Sequence, residues 1–437
     1  MVRCSHNGFC VDCSPAAAAA AFSRPPVDKR IAASTPSGRF VNDKLATPKE
    51  AMMNPWSFPG PLVLPGDDLA LDPEWPPQSL RSWLSYNRKV PVTEERKTIY
   101  VVDPPEITPE VKVLVRGWEK PVPKGLTMLG VPDGLPSTST DDICDYLRAF
   151  YHKMDVKKHE GKFRWQAWED GPKKGQKYIG LATPSPSEEL ISIRRRPSPD
   201  GLAKMQVNLS DMLDALVDRV PQDAYAIIIL TDFDLYEDDE DDFCCGRAFG
   251  ESRIAIVSSF RYNPLLDPYG DIELEHMWPA SHCMTYVEEV CNPDDAPSRQ
   301  AKKPAARPPP QNAALVAATN TFKQVPRPKT RDEWASLWFS RVARTVSHEL
   351  GHCLGMDHCV YYACVMQGTA GMGEDVRQPP YLCPVCLSKL SRALTEYVKH
   401  RYRAVRDFCE NWKHVAMFAA YQTWIDKRLE ENEVVHG

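Results

Sequence analysis

The sequence predicts an α+β protein, a domain of twisted mixed sheet and helices that carries proline-rich disordered appendages. Three features lead there. The run 224–231 is apolar, rich in isoleucine and directly preceded by a helical stripe, as a buried strand would be. A second helical stripe starts at Thr330 and runs without interruption into a group of histidines. Prolines number 40 against 22 glycines in 437 residues. Proline lacks a backbone donor and resists helix and sheet interiors, so much of the chain is expected to be loop or tail. The expected division is a largely disordered or extended region over 1–90, an accessory segment over 91–187 packed on the main domain, and the main domain over 188–437 with a flexible proline-rich insertion at 293–329.

Composition excludes some classes of partner. With 53 basic against 59 acidic side chains the net charge is −6, which offers no basic face to a phosphate backbone; nucleic acid is not an expected partner. The apolar runs at 224–230 and 415–420 are typical of the longest, and a membrane span needs about 20 consecutive apolar residues, so no membrane partner is expected. Residues 1–22 hold one Arg, three Cys and a run of alanines, not the apolar core of a secretory signal. The expected location is intracellular, cytoplasmic or nuclear, where thiols stay reduced.

Element by element, the first 90 residues are rich in Ala, Pro and Ser with little periodicity, a composition that buries too little apolar area to order itself. Cys4, His6, Cys10 and Cys13 have a C-x-H-x3-C-x2-C spacing that could hold zinc, but no element-forming sequence surrounds them, and unpaired thiols are the expected state. A helix is expected over 141–154, where Ile143, Tyr146, Leu147 and Phe150 share a face after Ser139 and Thr140. Residues 190–194 read as a strand. Leu209, Met212, Leu213, Leu216, Val217 and Val220 read as a helix capped by Asn208, and 224–231 as a strand, together a βαβ unit. The acidic run 236–242 is expected to be a solvated loop, and 253–260 another strand. The segment 293–329, with eight prolines and three alanine pairs, is expected to have no core of its own. Thr330 and Glu333 then form a capping box for the long helix, and helices over 387–408 and 410–430 close the chain as packing elements.

The long helix delivers His348, Glu349, Leu350, Gly351 and His352, an H-E-x-x-H. Residues i and i+4 of a helix share a face, so both imidazoles can reach one zinc ion while Glu349 lies beside the open coordination position. Gly355 can end the helix in backbone angles closed to other residues, and His358 follows three residues later to bring a third imidazole. Three neutral nitrogens leave a doubly positive metal with one site for water, which is hydrolytic geometry. The competing readings are ordinary surface or core histidines, or a closed structural zinc that draws on the nearby Cys353 and Cys359. A glutamate next to the first ligand has no task in either.

The extended histidine motif followed by Met366, Gln367 and Gly368 resembles the metzincin clan of zinc peptidases, in which a methionine in a tight turn floors the metal site. Cys359 directly after His358, then Cys364 and the Cys383-Pro384-Val385-Cys386 pair, make the stretch similar to the archaemetzincin family. The resemblance spans roughly residues 188–414 and implies a metzincin-like zincin domain, a catalytic zinc on His348, His352 and His358 with Glu349 as general base, and a structural zinc on Cys359, Cys364, Cys383 and Cys386. It further implies a monomer that hydrolyses peptides or small unfolded substrates, with aminopeptidase-like action by analogy and the substrate extended along an edge strand, for which 253–260 is the candidate. The alternative is a zinc-stabilised interaction protein with a metzincin fold and little turnover.

Overall fold

The isoleucine run is the strand Ala224–Thr231, and all eight of its residues are buried. In the computed structural model the described residues are 4, 6–39, 49–125, 130–168, 177–184, 189–292, 310 and 312–436. The chain divides into two compact units. A sheet unit comprises Arg88–Tyr269 and Pro328–Gly355; a helical unit comprises Met1–Asn87, Gly270–Arg327 and Met356–Gly437. The fold is mixed α/β, and no helix among the described residues is long and apolar enough to cross a membrane.

In the sheet unit, five strands run in the order Gly246–Phe249, Ile254–Ser258, Ala224–Thr231, Thr98–Val102, Asp155–Lys158. All pairings are parallel except that of Gly246–Phe249, which closes one edge antiparallel. Because side chains alternate across a strand, Ile227 and Ile229, in register with Ile254 and Ile256, present one apolar face. That face packs with Leu209, Met212, Leu213 and Leu216 of the helix Leu209–Val217, and with Trp165 stacked on Phe233 at 5.3 Å. Each such buried side chain contributes about 1.5–3 kcal/mol. A six-stranded sheet adds to the same core.

The helix Leu209–Val217 starts where expected, with the Asn208 side chain accepting from Asp211 N. The βαβ unit, however, does not form. Leu190–Arg196 lies in the six-stranded sheet, held antiparallel to Tyr178–Ala182, while Ala224–Thr231 lies in the five-stranded one. The expected edge strand is also displaced. Residues Ile254–Ser258 are an inner strand flanked on both sides, and the edge is Gly246–Phe249. Strand order depends on which distant segments pair, and no local pattern records it.

The long helix Arg331–Cys353 packs on Gly246–Phe249 and Ile254–Ser258 and beside the helix Thr140–Phe150. Its capping box is formed: Thr330 Oγ1 accepts from Glu333 N at 3.2 Å and Glu333 Oε2 from Thr330 N at 3.0 Å. Buried polar contacts hold it in place. Arg341 makes two bonds to Asp267, at 2.6 and 2.9 Å; Trp338 Nε1 donates to Ser259 O at 2.7 Å; Tyr151 OH donates to Ser347 O at 2.6 Å.

The helical unit changes the picture of residues 1–90, which were expected to be largely disordered or extended. They contain the short helices Pro15–Ala19, Val27–Ala33, Lys49–Met53, Asp68–Leu71 and Leu80–Ser85. Scattered apolar residues anchor them on distant partners: Phe58 meets the stacked Tyr381–Trp424 pair edge-on, Arg24 Nε donates to Tyr361 O at 2.7 Å, and Ala363 N donates to Pro59 O at 3.0 Å. Of the insertion at 293–329, residues 293–309 and 311 lie outside the described residues. The remainder is not without a core, because Ala314–Gln324 is a helix that buries Leu315 and Ala318 and packs on the C-terminal helix Ala416–His436. The expected 387–408 helix is divided into Pro384–Leu394 and Val398–Asn411 at Thr395, whose φ of +49° cannot continue a right-handed helix.

Candidate metal centre

In the sheet unit, the last turns of the long helix place His348 and His352 one above the other, with their Nε2 atoms 2.9 Å apart and the rings 4.7 Å apart. Two imidazoles on a tetrahedral zinc with bonds of about 2.0–2.1 Å present their nitrogens about 3.3 Å apart, so a side-chain shift of a few tenths of an ångström lets the pair share an ion. Glu349 is buried, 6% exposed, and that burial pushes its carboxyl up to about 8, with Arg247 pulling the other way. The edge strand makes room for these groups with glycine. A Cβ at Gly246 would stand 2.9 Å from Ile256 O and 3.2 Å from Glu349 Cγ, and one at Gly250 would stand 2.5 Å from His352 O. Tyr225 OH donates to Cys353 O at 3.1 Å, and Gly355, at φ +75°, turns the chain out of the helix.

In the helical unit, His358 lies against Trp75, rings 5.2 Å apart, and a Cβ at Gly368 would stand 2.9 Å from His358 Nδ1 and collide with the Asp68 carboxylate. A side chain at position 368 would therefore have to displace Asp68 or His358. Met366 is fully buried in a tight turn closed by Gln367 N donating to Cys364 O at 3.1 Å, and its own carbonyl accepts from Cys359 N at 2.7 Å.

Cys359, Cys364, Cys383 and Cys386 are all buried in the same unit, and their four sulfurs lie within 4.8 Å of one another. Cys364 Sγ accepts from Met366 N at 3.5 Å and from Cys383 N at 3.2 Å, bonds that favour a thiolate. Cys383 occupies the position just before the helix Pro384–Leu394 and Cys386 sits in its first turn, where the helix terminus favours negative charge. Burial and neighbouring sulfurs push the Cys364 and Cys383 thiols well above their ordinary range, while against burial the hydrogen bonds of the neighbouring sulfurs hold Cys359 well below it, so the cluster shares its protons unevenly and a cation is what favours thiolate at the raised members. Four thiolate donors in a closed, dry pocket are the chemistry of a structural zinc.

Of the remaining cysteines near the motif, Cys353 is buried in the helix and Cys244 Sγ donates to Gly246 O at 3.2 Å. The residues that sequence reasoning missed are Arg247, Gly246 and Gly250 in one unit and Asp68 and Trp75 in the other. None carries a periodic or motif signal; each matters only because the fold brings it near a histidine or Glu349.

Residues 327–392 match peptidase family M54. Archaemetzincin-2 of Macaca fascicularis is 29% identical over 201 residues, 46% of each chain, and human archaemetzincin-1 is 24% identical over 229 residues, 52% of this chain and 39% of that one. The chain thus spans about half the length of the curated relatives it matches. The crystal structure of archaemetzincin from Methanopyrus kandleri aligns over 69% of this chain and 98% of that one, with 16% identity and a TM-score of 0.33. Through its segment 327–392 and these relatives, the chain is related to the archaemetzincins of peptidase family M54.

Proposed function

We propose that the chain is a zinc-dependent metallopeptidase in which His348, His352 and His358 hold a catalytic zinc, Glu349 is the general base, and Cys359, Cys364, Cys383 and Cys386 hold a structural zinc. The observation that carries this reading is the His348–His352 pair, Nε2 atoms 2.9 Å apart on one helix face, with Glu349 buried beside it. The eleven-residue motif supplies His358 as the third donor, and three imidazoles with a neighbouring carboxylate fit a hydrolytic zinc better than a closed structural one. When bound, such an ion supplies a Lewis acid and lowers the pKa of water toward about 7. Glu349 takes the proton of the attacking water and returns it to the leaving amine; burial raises its proton affinity above that of an ordinary carboxylate, which suits a group that must hold a proton between the two events.

Substrate recognition follows from the edge strand. Gly246–Phe249 pairs on one side only, with Ile254–Ser258, and an extended peptide can add to its free side by backbone hydrogen bonds. Peptides and small unfolded substrates meet that requirement. The metzincin-like arrangement, with Met366 flooring the metal site, is part of the same proposal. The test is cleavage of a peptide library by the zinc-loaded chain and by Glu349→Gln. Loss of about 10²–10⁴-fold in the variant, with zinc retained, is expected. Equal silence of both proteins with the histidine and four-cysteine sites filled would instead indicate a zinc-stabilised interaction protein.

A further inference from the structure

The N-terminal cysteines do not form the cluster that their spacing suggests. Cys10 Sγ donates to Asp12 O at 3.2 Å, and Cys13 packs with Ala17 and Phe22. Cys4 and His6 turn instead to a segment some 270 residues away. Cys4 Sγ lies 2.6 Å from Cys283 Sγ, and one donor atom from each of Cys4, His6, His276 and Cys283 lies within 4.8 Å of the other three. All four residues belong to the helical unit.

We propose that Cys4, His6, His276 and Cys283 form a third zinc site, a closed Cys2His2 centre that fastens the N-terminal segment to the segment around residues 276–283. Four features support it independently of the catalytic reading. Two sulfurs and two imidazoles form a closed four-donor set with the chemistry of structural zinc, and their mutual distances let one ion with bonds of about 2.0–2.3 Å reach all four after small side-chain movements. The ring nitrogens His6 Nδ1 and His276 Nε2 are buried with no hydrogen-bond partner outside the cluster, a costly state for groups that are not ligands. The other nitrogen of His276 is already taken: its Nδ1 lies 2.6 Å from Glu273 Oε2, the outer carboxylate that typically orients a metal-binding histidine, and its ring stacks on Tyr286 at 4.2 Å. His6 holds φ +51°, a left-handed conformation uncommon outside glycine, which turns its ring into the cluster.

The backbone is arranged to match. Phe9 and Cys283 form an antiparallel bridge, Cys10 N donates to His282 O at 2.8 Å and Met284 N to Gly8 O at 2.8 Å, so the two donor-bearing segments are already aligned. Binding releases the thiol protons and stabilises only the folded chain, in which the four donors are together.

The experiment compares zinc content of the full chain with that of a Cys4→Ser/His6→Ala variant by elemental analysis after zinc loading and gel filtration. The expected result is a loss of one zinc per chain. Zinc held elsewhere in the protein cancels in the difference, so the result does not depend on the peptidase proposal. As a second measurement on the unaltered protein, alkylation followed by peptide mass spectrometry should find Cys4 and Cys283 protected together by zinc and released together by a chelator. Equal zinc content in parent and variant, labelling of Cys4 and Cys283 unaffected by zinc, or a Cys4–Cys283 disulfide in the zinc-loaded, reduced protein would each overturn the proposal.

Discussion

Replacing Asp267 by Ala tests how the long helix is held. Arg341 and Asp267 are each about 1% exposed in their side chains and joined by two bonds of 2.6 and 2.9 Å, and Arg341 Nη1 also reaches Tyr262 O at 3.2 Å. Removing the carboxylate takes both of its bonds away from a guanidinium that sits in a dry site. Breaking a buried pair from one side costs about 3–5 kcal/mol, chiefly because the remaining charge is uncompensated. For a unit of this size each kcal/mol lowers Tm by about 2–4 °C, so a fall of about 6–20 °C is expected by thermal denaturation followed by circular dichroism. The double change Asp267→Leu with Arg341→Met removes both charges at similar volume and should recover most of the loss. A single variant that costs under about 1 kcal/mol, or a double variant no better than the single one, would refute the reasoning that desolvated charge governs this contact.

Further outcomes follow from the same geometry. Gly246→Val places a side chain 2.9 Å from Ile256 O and 3.2 Å from Glu349 Cγ; peptide turnover should fall about 10²-fold through misplacement of the base, with the protein still folded by circular dichroism. Cys383→Ser should release one zinc per chain and lower thermal stability, and unchanged metal content would exclude the four-cysteine site. Glu374 is buried beside Asp67, and burial followed by that charge raises its carboxyl to about 8. The folded chain therefore keeps a proton that the unfolded chain releases, so stability falls as pH rises from about 4.5 to 8, by up to about 1.4 kcal/mol per unit. In Glu374→Gln, whose side-chain oxygen can still accept from Asp68 N and Ala370 N, that part of the pH dependence should vanish in denaturant titrations at pH 5.5 and 7.5.

What could be read locally was read well. Ala224–Thr231 is a strand because eight successive buried residues need a sheet on both faces, and the Thr330–Glu333 box marks the start of the long helix because a cap acts within four residues. The same holds for the two histidines on that helix: the i, i+4 spacing alone puts His348 and His352 on one face, and their nitrogens are 2.9 Å apart. The four-cysteine cluster was legible for a related reason, since its members lie within 28 residues and meet across short turns.

The sequence by itself determined the helix that carries His348 and His352, the buried strand and the grouping of the four cysteines, because each rests on residues close along the chain. Only the tertiary structure decided which strand is the edge, that Phe58 orders a tail of low apolar content by docking on Tyr381 and Trp424, and that Cys4 and His6 meet His276 and Cys283 rather than Cys10 and Cys13. Those outcomes depend on contacts between segments as far apart along the chain as Phe58 and Trp424. Such pairings are selected by the burial and hydrogen bonding of the whole fold, and a local pattern of residue types carries no record of them.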